Sequence, residues 1–294
     1  MSTPVFRLPD IAHVIRLRDG RRLGYAEYGD PAGRPVFFLH GLPGSRLTLL
    51  PDDPIARDLG LRIIAPERPG YGLSDFQPGR ALLDWPADMV ALAVALKIER
   101  FAVIGLSGGA PHALACAAKL PGRITCCLLV SPLGPTTVPE AVADLPLRPR
   151  LTYLVCRRLP FSFLQFALRP AARRAARAPE QLIPRMARLL PAPDRAALLE
   201  PAVTRRMRES QVEAYRPGPA ATAWETRLVL QPWGFDLASI RVPVHLWHGE
   251  MDKTVPVSLA RYLARVLPNC TATYLPDEGH FLWYKHWEEI LRKL

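Results

Sequence analysis

Short, almost wholly apolar runs recur along this chain, and helix-like sequence fills the intervals between them. The runs are "PVFFLHG" (35–41), "LRIIAP" (61–66), "RFAVIG" (100–105), "ITCCLLV" (124–130), "VPVHLWHG" (242–249) and "CTATYLP" (270–276). A strand with one wet face alternates apolar and polar side chains, whereas a strand apolar at nearly every position is covered on both faces. The intervals carry apolar residues at helical spacing, as at Leu82, Leu83, Met89, Val90, Leu92 and Leu96 within 81–97, and again over 109–119 and 256–267. Strands alternating with helices predict an α/β fold with a mostly parallel central sheet flanked by helices. A hairpin signal lies near the start, in "HVIRLRDGRRLGYAEYGD" (13–30), where two extended runs meet around Asp19-Gly20.

Residues 135–235 break the alternation. They are rich in Arg, Ala, Leu and Pro and offer no strand pattern, so several short helices broken by prolines are expected there. The alternation then resumes and closes with an amphipathic helix from Phe281 onward. The chain therefore divides into a sheet domain, 1–134 and 236–294, and an inserted helical segment, 135–235. The insertion also carries the charge. Formal net charge is +11, and between Pro146 and Leu230 sixteen Arg and no Lys stand against six acidic residues. Such arginines are solvated on helices whose apolar side covers the sheet domain, or they attract an anionic substrate or an anionic membrane surface. A charge run without a recognition fold carries little weight for nucleic acid, and no nucleic-acid partner is expected.

The stretch "VIGLSGGAPHALA" (103–115) joins a strand run to a helix run. Within it Gly105-Leu106-Ser107-Gly108-Gly109 has the form G-x-S-x-G. A serine at so sharp a strand-to-helix turn projects its Oγ above the sheet, and the turn leaves no room for side chains two residues before or after it. The helix that follows offers unpaired N–H groups, which favour negative charge beside the serine. These are the needs of a serine nucleophile, although Gly-Ser-Gly also makes ordinary loops; the strand before it and the helix after it are the context that a nucleophile elbow requires. Residues 101–118 hold no charged side chain and reach the length of a membrane span. Ser107, the Gly pair, Pro111 and His112 in their middle make strand, turn and buried helix the better reading, and no transmembrane segment is expected.

Five cysteines, Cys116, Cys126, Cys127, Cys156 and Cys270, show no C-x-x-C spacing. The start "MSTPVFRLPD" lacks the apolar core of a secretory signal. Free, mostly buried thiols in a reducing compartment are expected, which means a cytoplasmic location.

Four further motifs bring the elbow into line with a known family. The loop "HGLPGS" (40–45) resembles the H-G-x-P loop of the α/β-hydrolases, and "ERPGYGLSD" (67–75) resembles their D-R-P-G-x-G-x-S turn. "HGEMDKTVP" (248–256) resembles H-G-x-x-D-x-x-V-P, and "DEGH" (277–280) resembles the closing G-H. The likeness covers most of 20–134 and 240–285. It implies the α/β-hydrolase fold, in a serine-nucleophile, esterase-like branch with an inserted cap. It also implies a catalytic triad of Ser107, Asp252 and His280, in the family's chain order, with oxyanion donors at the N–H groups of Leu42 and Gly108. In that family an insertion after the sixth strand commonly forms a cap over the site, so substrate identity is written in 135–235. Glu67 stands where the pattern has Asp and reads as a turn-forming acid. Glu250 competes with Asp252, and the motif spacing favours Asp252. Of the seven histidines only His280 has both a loop context and a matching acid upstream. His40 reads as a structural hydrogen bonder, and His112 as facing solvent or lining the pocket.

The chemistry implied is hydrolysis of a carboxylic ester, with lactone and thioester cleavage left open and neither metal nor organic cofactor called for. The partner expected is a small-molecule ester that the basic cap allows to be anionic, with weak peripheral membrane contact through the same cap. Haloalkane dehalogenases and epoxide hydrolases of this fold use an aspartate at the elbow, so Ser107 argues against both. Proline iminopeptidases usually carry H-G-G-P-G and a Trp after the nucleophile, where this chain has Leu42 and Gly108. An iminopeptidase-like aminopeptidase, a cofactor-free perhydrolase and a slow-turnover ligand-binding member of the fold remain as alternatives.

Overall fold

Each of the six apolar runs forms a strand of one sheet in the computed structural model, which describes residues 12–49 and 54–294. The strands are β1 (His13–Arg16), β2 (Arg22–Gly29), β3 (Arg34–Leu39), β4 (Leu61–Pro66), β5 (Phe101–Leu106), β6 (Ile124–Val130), β7 (Val244–Gly249) and β8 (Cys270–Leu275). They lie in the order β1-β2-β4-β3-β5-β6-β7-β8. β1 and β2 form the hairpin around Asp19-Gly20, β2 pairs antiparallel with β4, and every pairing from β4 to β8 is parallel.

In the first half the sheet is flanked by α1 (Ile55–Asp58), α2 (Trp85–Ala95) and α3 (Ala110–Lys119). Between β6 and β7 run α4 (Pro139–Val142), α5 (Leu147–Arg158), α6 (Phe161–Arg177), α7 (Leu182–Ala187), α8 (Ala192–Leu199), α9 (Pro201–Ala214) and α10 (Ala220–Val229). α11 (Val257–Val266) and α12 (Trp283–Leu291) complete the fold. β3 shows why its run is apolar throughout. Phe37 and Leu39 belong to a core with Met89 and Leu92 of α2 and Leu114 of α3, while Val36 and Phe38 belong to the opposite core with Trp287 and Ile290 of α12. Two residues of one strand, one apart, thus face two different helical layers.

One helix of the insertion departs from expectation: α6 is not broken by its proline and runs through Pro170 for seventeen residues. Proline removes one backbone donor and frees the carbonyl four residues earlier. Here that residue is Phe166, and both it and Pro170 lie exposed, where a freed carbonyl costs least. All five cysteines are free, with Cys116, Cys126 and Cys127 buried. Among the described residues no helix is long and apolar enough to cross a membrane.

The strand order reverses beside β3. From β3 the chain moves to one side to form β4, then to the other to form β5. At such a reversal the loops leaving the carboxyl ends of two neighbouring strands diverge and open a crevice. The loops that leave β3 and β5 are "HGLPGS" and the turn at Ser107.

Candidate active site

β5 passes into α3 through Ser107, whose φ of 52° lies in the left-handed region that side chains rarely adopt. The turn requires bare backbone on both sides. A Cβ on Gly105 would lie 2.7 Å from the Ala110 Cα, and one on Gly109 would overlap the Leu39 carbonyl. Ser107 lines a cavity of about 350 Å3, and His280, on the loop after β8, lines the same cavity.

His280 Nδ1 donates to Asp252 Oδ2 at 2.6 Å. Asp252 sits after β7, and its second oxygen accepts the N–H groups of Thr254 and Val255, each at 2.8 Å, which fixes the carboxylate plane. The competing acid, Glu250, pairs with exposed Arg261 instead. The backbone of His280 is held as well. Ser131, after β6 and itself at a φ of 46°, donates its hydroxyl to the His280 carbonyl at 2.9 Å. Asp194, buried on α8 of the insertion, accepts the Phe281 N–H at 2.8 Å. Burial on its own would lower the His280 pKa. The Asp252 carboxylate, by charge and by hydrogen bond, and the Asp194 charge outweigh it, so the net shift is upward.

Leu42 and Gly108 abut: a Cβ on Gly108 would lie 2.6 Å from the Leu42 Cβ and 3.4 Å from its backbone nitrogen. The Leu42 loop is anchored from below by Arg68 of the "ERPGYGLSD" turn. Arg68 Nη1 donates to the His40 carbonyl at 2.5 Å and Nη2 to the Gly41 carbonyl at 2.9 Å. Its guanidinium is gripped by Glu225 of α10 through two bonds, at 2.5 and 3.0 Å. Arg80 and His112 each approach the same carboxylate at 3.1 Å. Burial pushes the Glu225 pKa up, but Arg68, His112 and Arg80 together hold it well below the usual carboxylate range. His40 serves the same loop, donating Nδ1–H to the Gly41 carbonyl at 2.9 Å and accepting the Arg68 N–H.

His112 differs from its expected place. It neither meets solvent nor lines the cavity, but is fully buried edge-on against Trp85 and directed at Glu225. Burial pushes its pKa down to about 4 against the pull of Glu225, which keeps the ring neutral. Glu67 is buried too, accepting the Leu73 N–H at 2.6 Å inside its turn and pairing with Arg46 at 2.7 Å. Burial pushes its pKa up to about 7 against the pull of Arg46.

The cavity wall is apolar, formed chiefly by Leu42, Met186, Met207, Phe281 and Trp283. Among the described residues lining it there is no Asp, Glu, Lys or Arg. Among the described residues no cluster of three or more His, Cys, Asp or Glu side chains is arranged to hold a metal.

Motif reading does not reach Asp194, Glu225 or Ser131. In "LPAPDRAALL" Asp194 looks like any acid in a first helical turn, with no sign that it caps a loop elsewhere. Glu225 did leave a trace, being the one acid in residues 217–235 and flanked by Ala, Thr and Trp.

A family model described as alpha/beta hydrolase fold matches residues 34–286. A non-heme chloroperoxidase of Streptomyces lividans is 38% identical over 132 residues, which is 42% of this chain and 46% of that protein. The chain thus matches a little under half the length of that curated relative. Among solved structures, a hydrolase from Pseudomonas aeruginosa PA01 superposes with a TM-score of 0.71 at 17% identity, covering 97% of this chain and 98% of that one. A thermophilic esterase from Thermogutta terrifontis superposes with a TM-score of 0.68 at 22% identity, covering 96% and 97%.

Proposed function

The chain belongs to the alpha/beta hydrolase family, and from that membership we propose that it is a serine hydrolase cleaving a carboxylic ester through an acyl-enzyme. The strongest support is the 2.6 Å contact of Asp252 with His280 on a loop whose imidazole shares one apolar cavity with Ser107. In this reading Ser107 Oγ attacks the ester carbonyl while His280 Nε2 takes its proton. Asp252 holds the proton on Nδ1, so that Nε2 is the free base, and stabilises the imidazolium that forms. The oxyanion accepts the N–H groups of Gly108 and Leu42, each worth about 3–4 kcal/mol of transition-state stabilisation. His280 then gives its proton to the departing alcohol. Water repeats the sequence on the acyl-enzyme and releases the acid. Met186, Met207 and Trp283 suit an aliphatic or aromatic acyl group, and the uncharged wall favours an uncharged one.

Hydrolysis of p-nitrophenyl esters from acetate to palmitate tests this. Wild type should turn over with a preferred chain length, and Ser107→Ala should lose on the order of 10⁶ in kcat together with fluorophosphonate labelling. Equal turnover by the variant would sink the proposal. A second reading rests on the Streptomyces relative, whose name is that of a chloroperoxidase. Hydrogen peroxide attacking the acyl-enzyme in place of water gives a peracid, which oxidises halide. Halogenation that requires acetate and peroxide and disappears in Ser107→Ala supports it; none leaves hydrolysis alone.

A further inference from the structure

Two helices of the insertion carry apolar side chains that stay in solvent. α5 has no buried residue at all, and Leu147, Leu151 and Val155 recur along it at every fourth position, in one row. Leu147 is 70% exposed. On α6, Phe163 and Phe166 stand three apart on one face, 53% and 64% exposed. Leu159 and Pro160 alone separate the two helices. Both are also basic. Together they carry eight Arg and no Asp, Glu or Lys, and Arg148, Arg150, Arg158, Arg169 and Arg173 are exposed. The Arg169 guanidinium lies 5.5 Å from the Phe166 ring centre, so cation and apolar ring share one surface.

Apolar rows of this kind mark an interaction site on a soluble surface, and the chemistry selects the partner. A second copy of the same face would bring arginine against arginine. A nucleic-acid backbone offers phosphates but nothing for Leu151, Val155, Phe163 and Phe166. An anionic lipid surface satisfies both: phosphate headgroups for the guanidiniums and an acyl boundary for the apolar row. We propose that the α5–α6 face docks on anionic lipid, with its leucine, valine and phenylalanine side chains below the headgroups. The long arginine side chains span the two layers, stems in the apolar boundary and heads among phosphates. None of these residues lines the cavity that holds Ser107, whose inserted wall comes from α7, α9 and their flanks. Docking and ester cleavage can therefore be read separately.

The test is co-sedimentation of the full chain with vesicles of equal parts phosphatidylglycerol and phosphatidylcholine, against phosphatidylcholine alone, at low ionic strength. Binding should be confined to the anionic vesicles and should weaken as salt is raised. Phe163→Ser with Phe166→Ser should weaken it by about tenfold or more. Each of Arg148→Gln and Arg150→Gln should weaken it by about fivefold. Solution hydrolysis of a p-nitrophenyl ester should stay unchanged in all of these variants, which shows the fold intact. Absence of binding overturns the proposal, as does equal binding to both vesicle types. Salt-sensitive binding indifferent to the phenylalanine pair overturns insertion of the apolar row. Dimerisation without lipid, abolished by the same pair, would make the face a self-association surface instead.

Discussion

Two carboxylates from different parts of the fold act on His280: Asp252 on the β7 loop, hydrogen-bonded to its Nδ1, and Asp194 on α8, which holds the neighbouring Phe281 N–H and acts on the ring through its charge. Both favour its protonated form, so its pKa lies above the ordinary 6.5 in spite of burial. The reaction proposed needs the neutral ring. Activity should therefore be lost as pH falls through a midpoint above 6.5, and kcat/KM should rise as His280 gives up its proton. Asp194→Asn keeps an oxygen for the Phe281 N–H but removes a charge, so it should move that midpoint down and leave the alkaline plateau in place. Asp252→Asn should also move it down and should lower kcat by about 10⁴, because the amide no longer fixes the proton on Nδ1. Profiles of kcat/KM against pH for the three proteins check this, and an unmoved midpoint in Asp194→Asn would show that its charge does not reach the imidazole. The two acids also differ in how visible they are in the sequence. Asp252 lies in a local string with fixed spacing from His248, Thr254 and Val255, all of which it touches or approaches. Asp194 acts on a residue 87 positions away, through a fold that no local string describes.

At the scale of elements, the inserted helices hold the loops of the site from behind. Glu225 on α10 fixes Arg68, and Arg68 fixes the Gly41 carbonyl. That carbonyl and the Leu42 N–H belong to one peptide unit. A guanidinium on the oxygen sets the plane of the unit and polarises the Leu42 N–H, the group to which the proposed mechanism gives the oxyanion. Glu225→Gln would leave Arg68 and Arg80 buried without their shared counter-charge. It should cost about 3–5 kcal/mol of stability, read as a lower urea midpoint. In the folded fraction kcat should fall while KM holds, since the displaced donor matters most in the transition state. Arg68→Lys keeps the charge but loses the fork that spans two carbonyls and Glu225, and should show a smaller loss of the same kind. Normal kcat in Glu225→Gln would make the network structural only. The central strands β3 to β7 are legible from sequence because a parallel strand covered on both faces is apolar at nearly every position, whereas β8, at the sheet edge, is only half-buried. The inner face of α3 is less legible: His112 reads as solvent or pocket lining until Glu225 appears opposite it, and Glu225 belongs to a helix whose placement depends on tertiary packing.

For the molecule as a whole, charge and cavity point in different directions. The excess of Arg lies in the insertion, yet the described residues lining the cavity carry no Lys or Arg. An outer charge acts across about one Debye length, roughly 8 Å at physiological ionic strength. It can speed the approach of an anion but gives the bound anion no partner, and a carboxylate against an apolar wall loses its hydration. A basic surface therefore does not make an anionic ester the better substrate. Comparing a butyrate ester with the succinate half-ester of the same alcohol separates the two effects. kcat/KM for the neutral ester should be flat with ionic strength, and for the anionic one lower by roughly tenfold or more, the penalty of an unpaired charge in the cavity. That deficit should widen with salt, as the small gain in approach rate is screened. Should the half-ester instead be preferred, with the preference collapsing in salt, the arginines would be steering substrate into the cavity in spite of its uncharged wall.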